Sequence, residues 1–233
     1  MLALLVTLIA PSTAGARGRI DRLGAGASTV WILWPDVRPT TIVVFGHGWS
    51  TPEPSGFGPW IAHLRARGAI VMYPKFVVPG ETATGALIAF ESALRTGFTR
   101  LAHVHLPVVA VGKSFGGSAV FYYATAAKAW HVPAPRAIMS VFPALPINGL
   151  PAGRPARQTF VEILVGDADT IAGSAGADAF WGWLGGHPAT EKRYVVVHSR
   201  PGWAADHESA QRSDRIARSV FWARLDRLIA RPY

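Results

Sequence analysis

Residues 107–117 read Pro-Val-Val-Ala-Val-Gly-Lys-Ser-Phe-Gly-Gly. The run Pro107 to Val111 is apolar without polar alternation, the pattern of a strand buried on both faces of a parallel sheet. Gly112-Lys113-Ser114-Phe115-Gly116 follows at once, and Gly116 to Trp130, rich in alanine and aromatics, has the make-up of a helix. A G-x-S-x-G segment between a strand and a helix has a physical logic. The turn is so sharp that the serine takes a strained backbone conformation, and glycines two before and two after keep strand and helix from colliding. The serine hydroxyl then stands clear at the carboxyl edge of the sheet, where the helix N-terminus favours developing negative charge. The same letters spell Gly-Lys-Ser, but a phosphate-binding loop needs a glycine five positions before Gly112, with a loop between. Here that position is Pro107, and strand residues follow it.

Working outward, further strand-like runs occur at Val30–Leu33, Thr41–Phe45, Ala69–Tyr73, Ala137–Phe142, Phe160–Val165 and Tyr194–Val197. Helical patterns fill the gaps. Trp60 to Arg67 ends at Gly68 as a helix C-terminus would, and Thr84 to Thr96 carries Leu87, Phe90 and Leu94. A last helix starts near Ser213, with Asp214 at its positive end and Ile216, Val220, Phe221, Leu225 and Leu228 on one stripe. Repeated strand–helix–strand units predict an α/β fold, a doubly wound, mostly parallel sheet with helices on both faces. The segment Pro143 to Arg157 is rich in Pro and Gly and too short for a cap domain, so any site at the sheet edge is expected to be open.

The chain has 233 residues, half of them hydrophobic, which fits one globular α/β domain, expected over 17–233. With no cysteine, a disulfide scaffold, thiolate zinc sites, iron–sulfur ligation and a cysteine nucleophile are excluded together. Lys and Arg number 23 against 14 acidic residues, a net charge of +9, but the basic residues are scattered, with no run or motif for nucleic acid. Leu2 to Ala10 is apolar and Ala14-Gly15-Ala16 supplies small residues, so 1–16 reads as a secretory signal peptide, one lacking the usual basic start. Secreted or periplasmic localisation is expected, with the cytoplasm as the alternative. The run is about half of the ~20 residues a membrane span needs.

On these residues, from Ser28 to the C-terminus, the chain resembles the α/β-hydrolase superfamily, and in size its capless serine esterases, lipases and cutinase-like or dienelactone-hydrolase-like members. The resemblance implies a nucleophile at Ser114, then an acid, then a histidine. The commonest elbow of that family has His before the serine, where this chain has Lys113. By the same resemblance the oxyanion donors are the backbone N–H groups of Phe115 and of Trp49, in the H-G-x-like segment Gly46-His47-Gly48-Trp49. His47 is read as a residue bracing that loop. Gly166-Asp167-Ala168-Asp169 resembles the family's G-x-x-D turn, which favours Asp169 over Asp167, and Asp206-His207 resembles its late D-H pair, which favours His207 over His198. Dienelactone hydrolases use a cysteine that this chain lacks.

Trp49 and Trp203 lie on loops tied to these residues and are the candidate substrate-binding aromatics. The expected activity is hydrolysis of small-molecule or polymeric carboxylic esters through an acyl-enzyme. Alternatives are a cutinase-like polyester hydrolase, a peptidase or thioesterase, and a binding protein that kept the fold without turnover. No cofactor is expected: H-E-x-x-H is missing, His103 and His105 have no local carboxylate partner, and Gly24-Ala25-Gly26 precedes the first strands instead of following one.

Overall fold

The computed structural model describes residues 18–148, 150 and 153–232; the signal-peptide reading of 1–16 lies outside them. The strands are β1 (Ile20–Leu23), β2 (Val30–Leu33), β3 (Thr41–Gly46), β4 (Ala69–Pro74), β5 (Val108–Lys113), β6 (Ala137–Val141), β7 (Phe160–Gly166) and β8 (Lys192–Val197). The helices are α1 (Gly58–Ala66), α2 (Ala83–Arg100), α3 (Phe115–Ala126), α4 (Ala175–Trp183), α5 (Arg215–Ala217) and α6 (Ala223–Ala230). One eight-stranded sheet runs in the order β1-β2-β4-β3-β5-β6-β7-β8. Strands β3 to β8 are parallel, and β1 and β2 form an antiparallel margin.

The missing polar alternation has a direct cause: each central strand feeds two apolar layers. Along β3, Ile42 and Val44 point to the layer with Leu87, Phe90 and Leu94 of α2 and Phe121 of α3. Val43 and Phe45 point to the other, with Trp60, Ile61 and Leu64 of α1 and Phe221 and Leu225 near the C-terminus. Period-2 side-chain direction with both faces covered leaves no position for water-seeking groups.

Local signals end the helices as expected. Gly68, at φ +88°, follows α1 in the left-handed conformation that a C-terminal stop uses. Thr82 caps α2 through its side chain, and Asp214 caps α5 by accepting from the N–H groups of Ile216 and Ala217, each cap stabilising by about 1 kcal/mol. Three expectations are revised. Helix α2 runs one turn beyond Thr96, α3 stops at Ala126 and not Trp130, and the C-terminal helix passes through a π-helical turn at Arg218–Trp222 between α5 and α6. Strand β1 and helix α4 are additional, so Gly24-Ala25-Gly26 follows a strand and does not precede the first one; what comes next is a short turn and the antiparallel β2, not the helix a dinucleotide fingerprint opens.

Topology makes the crevice. From β3 the chain moves outward to β4, then returns to place β5 on the other side of β3, after which it proceeds to β6. Ligand crevices in open α/β sheets form at such a reversal, beyond the carboxyl ends of the strands. Here β3 and β5 pair with Gly46 opposite Gly112, so the segments that follow them emerge side by side. No cap domain covers that edge among the described residues.

Candidate active site

At the end of β5 the chain turns through Ser114, whose φ of 59° and ψ of −124° are costly for a residue with a Cβ. Its own backbone holds it there. The Ser114 N–H donates to the Val141 carbonyl at 2.9 Å, and the Ser114 carbonyl accepts from Gly117 at 2.9 Å and Ala144 at 3.1 Å. The elbow glycines are required by contact. A Cβ on Gly112 would lie 2.0 Å from the Gly116 carbonyl oxygen, and one on Gly116 would lie 2.3 Å from the Gly46 carbonyl carbon.

The Ser114 hydroxyl meets His207 Nε2 at 2.9 Å. The other ring nitrogen, Nδ1, lies 2.8 Å from Asp169 Oδ2. Asp169 and His207 are both buried, whereas Ser114 is half-buried. Asp169 Oδ1 accepts from the N–H groups of Ile171 at 2.9 Å and Ala172 at 3.0 Å, so one oxygen anchors the carboxylate and the other faces the imidazole. A carboxylate fixed this way orients the ring with Nδ1 as donor, leaving Nε2 to accept the serine proton.

The alternatives Asp167 and His198 meet each other instead of Ser114. Asp167 accepts from the Ser199 hydroxyl at 2.5 Å and the Ser199 N–H at 3.0 Å, and lies 3.3 Å from His198 Nδ1. The Ser199 bonds, with smaller help from His198, lower its pKa. Asp167 thus straps the start of the histidine-bearing loop to the end of β7.

Beside the elbow, a Cβ on Gly48 would fall 3.5 Å from Ser114 Cβ, which brings the Gly46–Trp49 segment against the hydroxyl. No backbone carbonyl takes the N–H of Trp49 or Phe115 among the described residues. The Trp49 ring, 43% exposed, stands edge-on to Phe115 at 5.2 Å. His47 is wholly buried, stacked on Phe76 at 3.9 Å, with Nδ1 2.6 Å from the Gly48 carbonyl. Burial lowers its pKa from 6.5 to about 4, the Gly48 bond opposing and the Lys75 charge adding to the effect. The ring therefore stays neutral and donates to Gly48, as a loop brace would.

Trp203, expected on the wall of the site, is a correction. Its loop closes on itself through paired Arg200 and Trp203 backbone bonds of 2.8 Å, with Gly202 at φ +75°, and this turn sends the indole into the core, 5% exposed. Next to the elbow lies a cavity to which none of the motifs pointed. Of about 450 Å³, it adjoins Phe115 and is lined by Thr82, Ala144, Leu145, Pro146 and Ile147 among others. Its signal was the apolar triplet Leu145-Pro146-Ile147 inside the Pro- and Gly-rich segment Pro143 to Arg157. Among the described residues no group of three or more His, Asp or Glu is placed to hold a metal ion, and no helix is long and apolar enough to cross a membrane.

Scanned against protein-family models and against curated proteins, the chain matches none. Solved structures do resemble it. Carboxyl esterase 2 of the fungus Tuber melanosporum superposes with a TM-score of 0.65 at 15% identity, over 94% of this chain and 85% of that one. Esterase 2 of Thermogutta terrifontis, phosphorylated by paraoxon, gives a TM-score of 0.67 at 16% identity over 93% and 94%. An alpha/beta hydrolase enzyme from a Medee basin deep-sea metagenome library gives 0.65 at 16% over 92% and 99%. Together with the sheet order and elbow, these similarities show that the chain has the α/β-hydrolase fold.

Proposed function

We propose that this chain, built on the α/β-hydrolase fold, is a serine hydrolase of carboxylic esters. The observation that carries the reading is the continuous chain Ser114 Oγ, His207 Nε2, His207 Nδ1 and Asp169 Oδ2, with contacts of 2.9 and 2.8 Å. The esterases among its structural neighbours support it.

In this mechanism Ser114 Oγ attacks the ester carbonyl carbon while its proton passes to His207 Nε2, and Asp169 stabilises the resulting imidazolium. The carbonyl oxygen becomes an oxyanion held by the N–H groups of Trp49 and Phe115, each donor lowering the barrier by about 3 kcal/mol. Collapse breaks the bond to the alcohol, which leaves with the proton from His207. Water then attacks the acyl-serine, His207 accepting its proton and returning it to Ser114 as the acid departs. The cavity beside Phe115 receives the acyl chain.

A fluorophosphonate probe and a panel of p-nitrophenyl esters, acyl-CoA and peptide amides test the proposal. Wild-type protein is expected to label and to hydrolyse the esters, with both properties lost in Ser114→Ala. An unlabelled, inert wild type points to a binding protein. Polymer-bound esters are a second reading, favoured by the large exposed apolar side chains Trp49, Leu145 and Ile171 on loops at the carboxyl edge of the sheet. Release of soluble monomers from a polyester film, lost in Ser114→Ala, tests it. Export, read from residues 1–16, belongs to the same proposal, and N-terminal sequencing of secreted material tests it.

A further inference from the structure

Lys113, immediately before Ser114, has no part in the chemistry just described, yet it is 3% exposed. A lysine ammonium is seldom buried without a partner. Its partner is Glu208, whose Oε1 accepts from Lys113 Nζ at 2.9 Å while its own side chain stays 53% exposed. The carboxylate covers a cation that rises from inside the molecule.

The placement of the pair is what gives it meaning. Lys113 precedes the proposed nucleophile, and Glu208 follows the proposed base. Lys113 Nζ to Glu208 Oε1 and Ser114 Oγ to His207 Nε2, both 2.9 Å, are therefore neighbouring rungs between the end of β5 and one loop. The lysine stem is wedged, because a Cβ on Gly48 would lie 3.3 Å from Lys113 Cδ and 3.7 Å from Nζ. Besides the Asp169 contact to the His207 ring and the packing of Trp203, Ala205 and Ala210 in the core, the side-chain bonds of the histidine-bearing loop are mostly internal to it. Asp206 pairs with Arg212 at 2.5 Å, and the Ser209 hydroxyl donates to the Asp206 carbonyl at 2.7 Å. The Asp167–Ser199 strap lies eight residues before His207 in the chain. A reacting group carried by a loop needs a close anchor, since an ångström of misplacement costs up to about a hundredfold in rate.

We propose that the Lys113–Glu208 ion pair is a positioning device that holds the His207 loop at hydrogen-bonding distance from Ser114; it rests on the hydrolase reading above. Lys113 and Glu208 act through Ser114 and His207 and touch no reacting atom.

The test measures kcat and KM on p-nitrophenyl butyrate, normalised to sites titrated with fluorophosphonate, together with Tm, for Glu208→Ala, Glu208→Asp, Lys113→Met and the double variant Lys113→Met/Glu208→Ala. The expected result is a kcat per titrated site lowered roughly tenfold or more in Glu208→Ala, with KM within about twofold. Glu208→Asp should recover part of the loss, and the double variant should be no slower than its slower parent, because both changes remove one contact. Glu208 is half-exposed, so its variants remain informative if Lys113→Met fails to fold. A Glu208→Ala enzyme whose kcat per site stays within twofold of wild type, whatever its Tm, overturns the proposal while leaving the hydrolase reading standing. A wild type that neither labels nor turns over ester defeats both.

Discussion

Lowering the pH should unlock the loop beside the proposed oxyanion site, and the size of the effect follows from His47. The ring is fully buried between Phe76 and Tyr73, donates from Nδ1 to the Gly48 carbonyl and accepts at Nε2 from the Phe76 N–H at 3.5 Å, an arrangement that only the neutral form satisfies. Its pKa is about 4 when folded against 6.5 when exposed. Between these values the unfolded chain binds a proton that the folded chain refuses, so stability rises with pH through this window and is lost as pH falls from 6.5 towards 4. At about 1.4 kcal/mol per pH unit, the integrated loss is about 2 kcal/mol between pH 7 and 5, and about 3 kcal/mol by pH 4. Urea unfolding followed by tryptophan fluorescence, on wild type and on His47→Asn, isolates this contribution because other titrating groups are common to both. His47→Asn should be less stable at pH 7, with a stability that falls less steeply on acidification. Parallel pH dependences for the two proteins would show that His47 contributes nothing to the acid sensitivity.

Three further outcomes are expected. Gly112→Ala should destabilise by about 3 kcal/mol or more, or prevent folding, since its Cβ would meet the Gly116 backbone; Gly182→Ala, on α4 with nothing within 4 Å, should stabilise by about 0.5 kcal/mol, both read by urea unfolding. Asp169→Asn should lower kcat by about 10³- to 10⁴-fold, whereas Asp167→Asn, which loses contacts to Ser199 and His198 instead, should stay within about tenfold of wild type in the same ester assay. Ala144→Phe, filling the cavity beside Phe115, should cut kcat/KM for p-nitrophenyl octanoate about tenfold while leaving the acetate within about threefold; equal losses on both esters would move the acyl site elsewhere.

The legible parts of the fold were those whose signal is local. Six of the seven strand runs stood out because both of their faces are buried, the edge run Tyr194–Val197 stood out by its β-branched composition although Val196 is exposed, and the elbow stood out because only glycine fits where β5, α3 and the end of β3 converge. Strand β1 escaped notice because Ile20-Asp21-Arg22-Leu23 is short, marginal and half-exposed, pairing with β2 alone. Helix α4 escaped notice because its sequence contains Gly176 and Gly182. It forms because Phe180 packs on Phe121 at 4.6 Å, a contact between residues 59 positions apart that outweighs a poor intrinsic propensity.

The strand–turn–helix around Ser114 was legible from the residues themselves, because a sharp backbone bend and a strand buried on both faces accept few residue types; the order of serine, acid and histidine came only from the family resemblance. Which carboxylate meets which imidazole depends on the folded chain. Asp167 and Asp169 lie two residues apart on one turn, yet one bonds Ser199 and the other His207, according to the direction in which the turn leaves the sheet. The inward path of Trp203, the cavity beside Phe115 and the pairing of Lys113 with Glu208, 95 residues away, have the same origin. Hydrogen bonds and ion pairs act over about 3 Å, and which distant side chains come that close is set by how the loops return over the sheet edge.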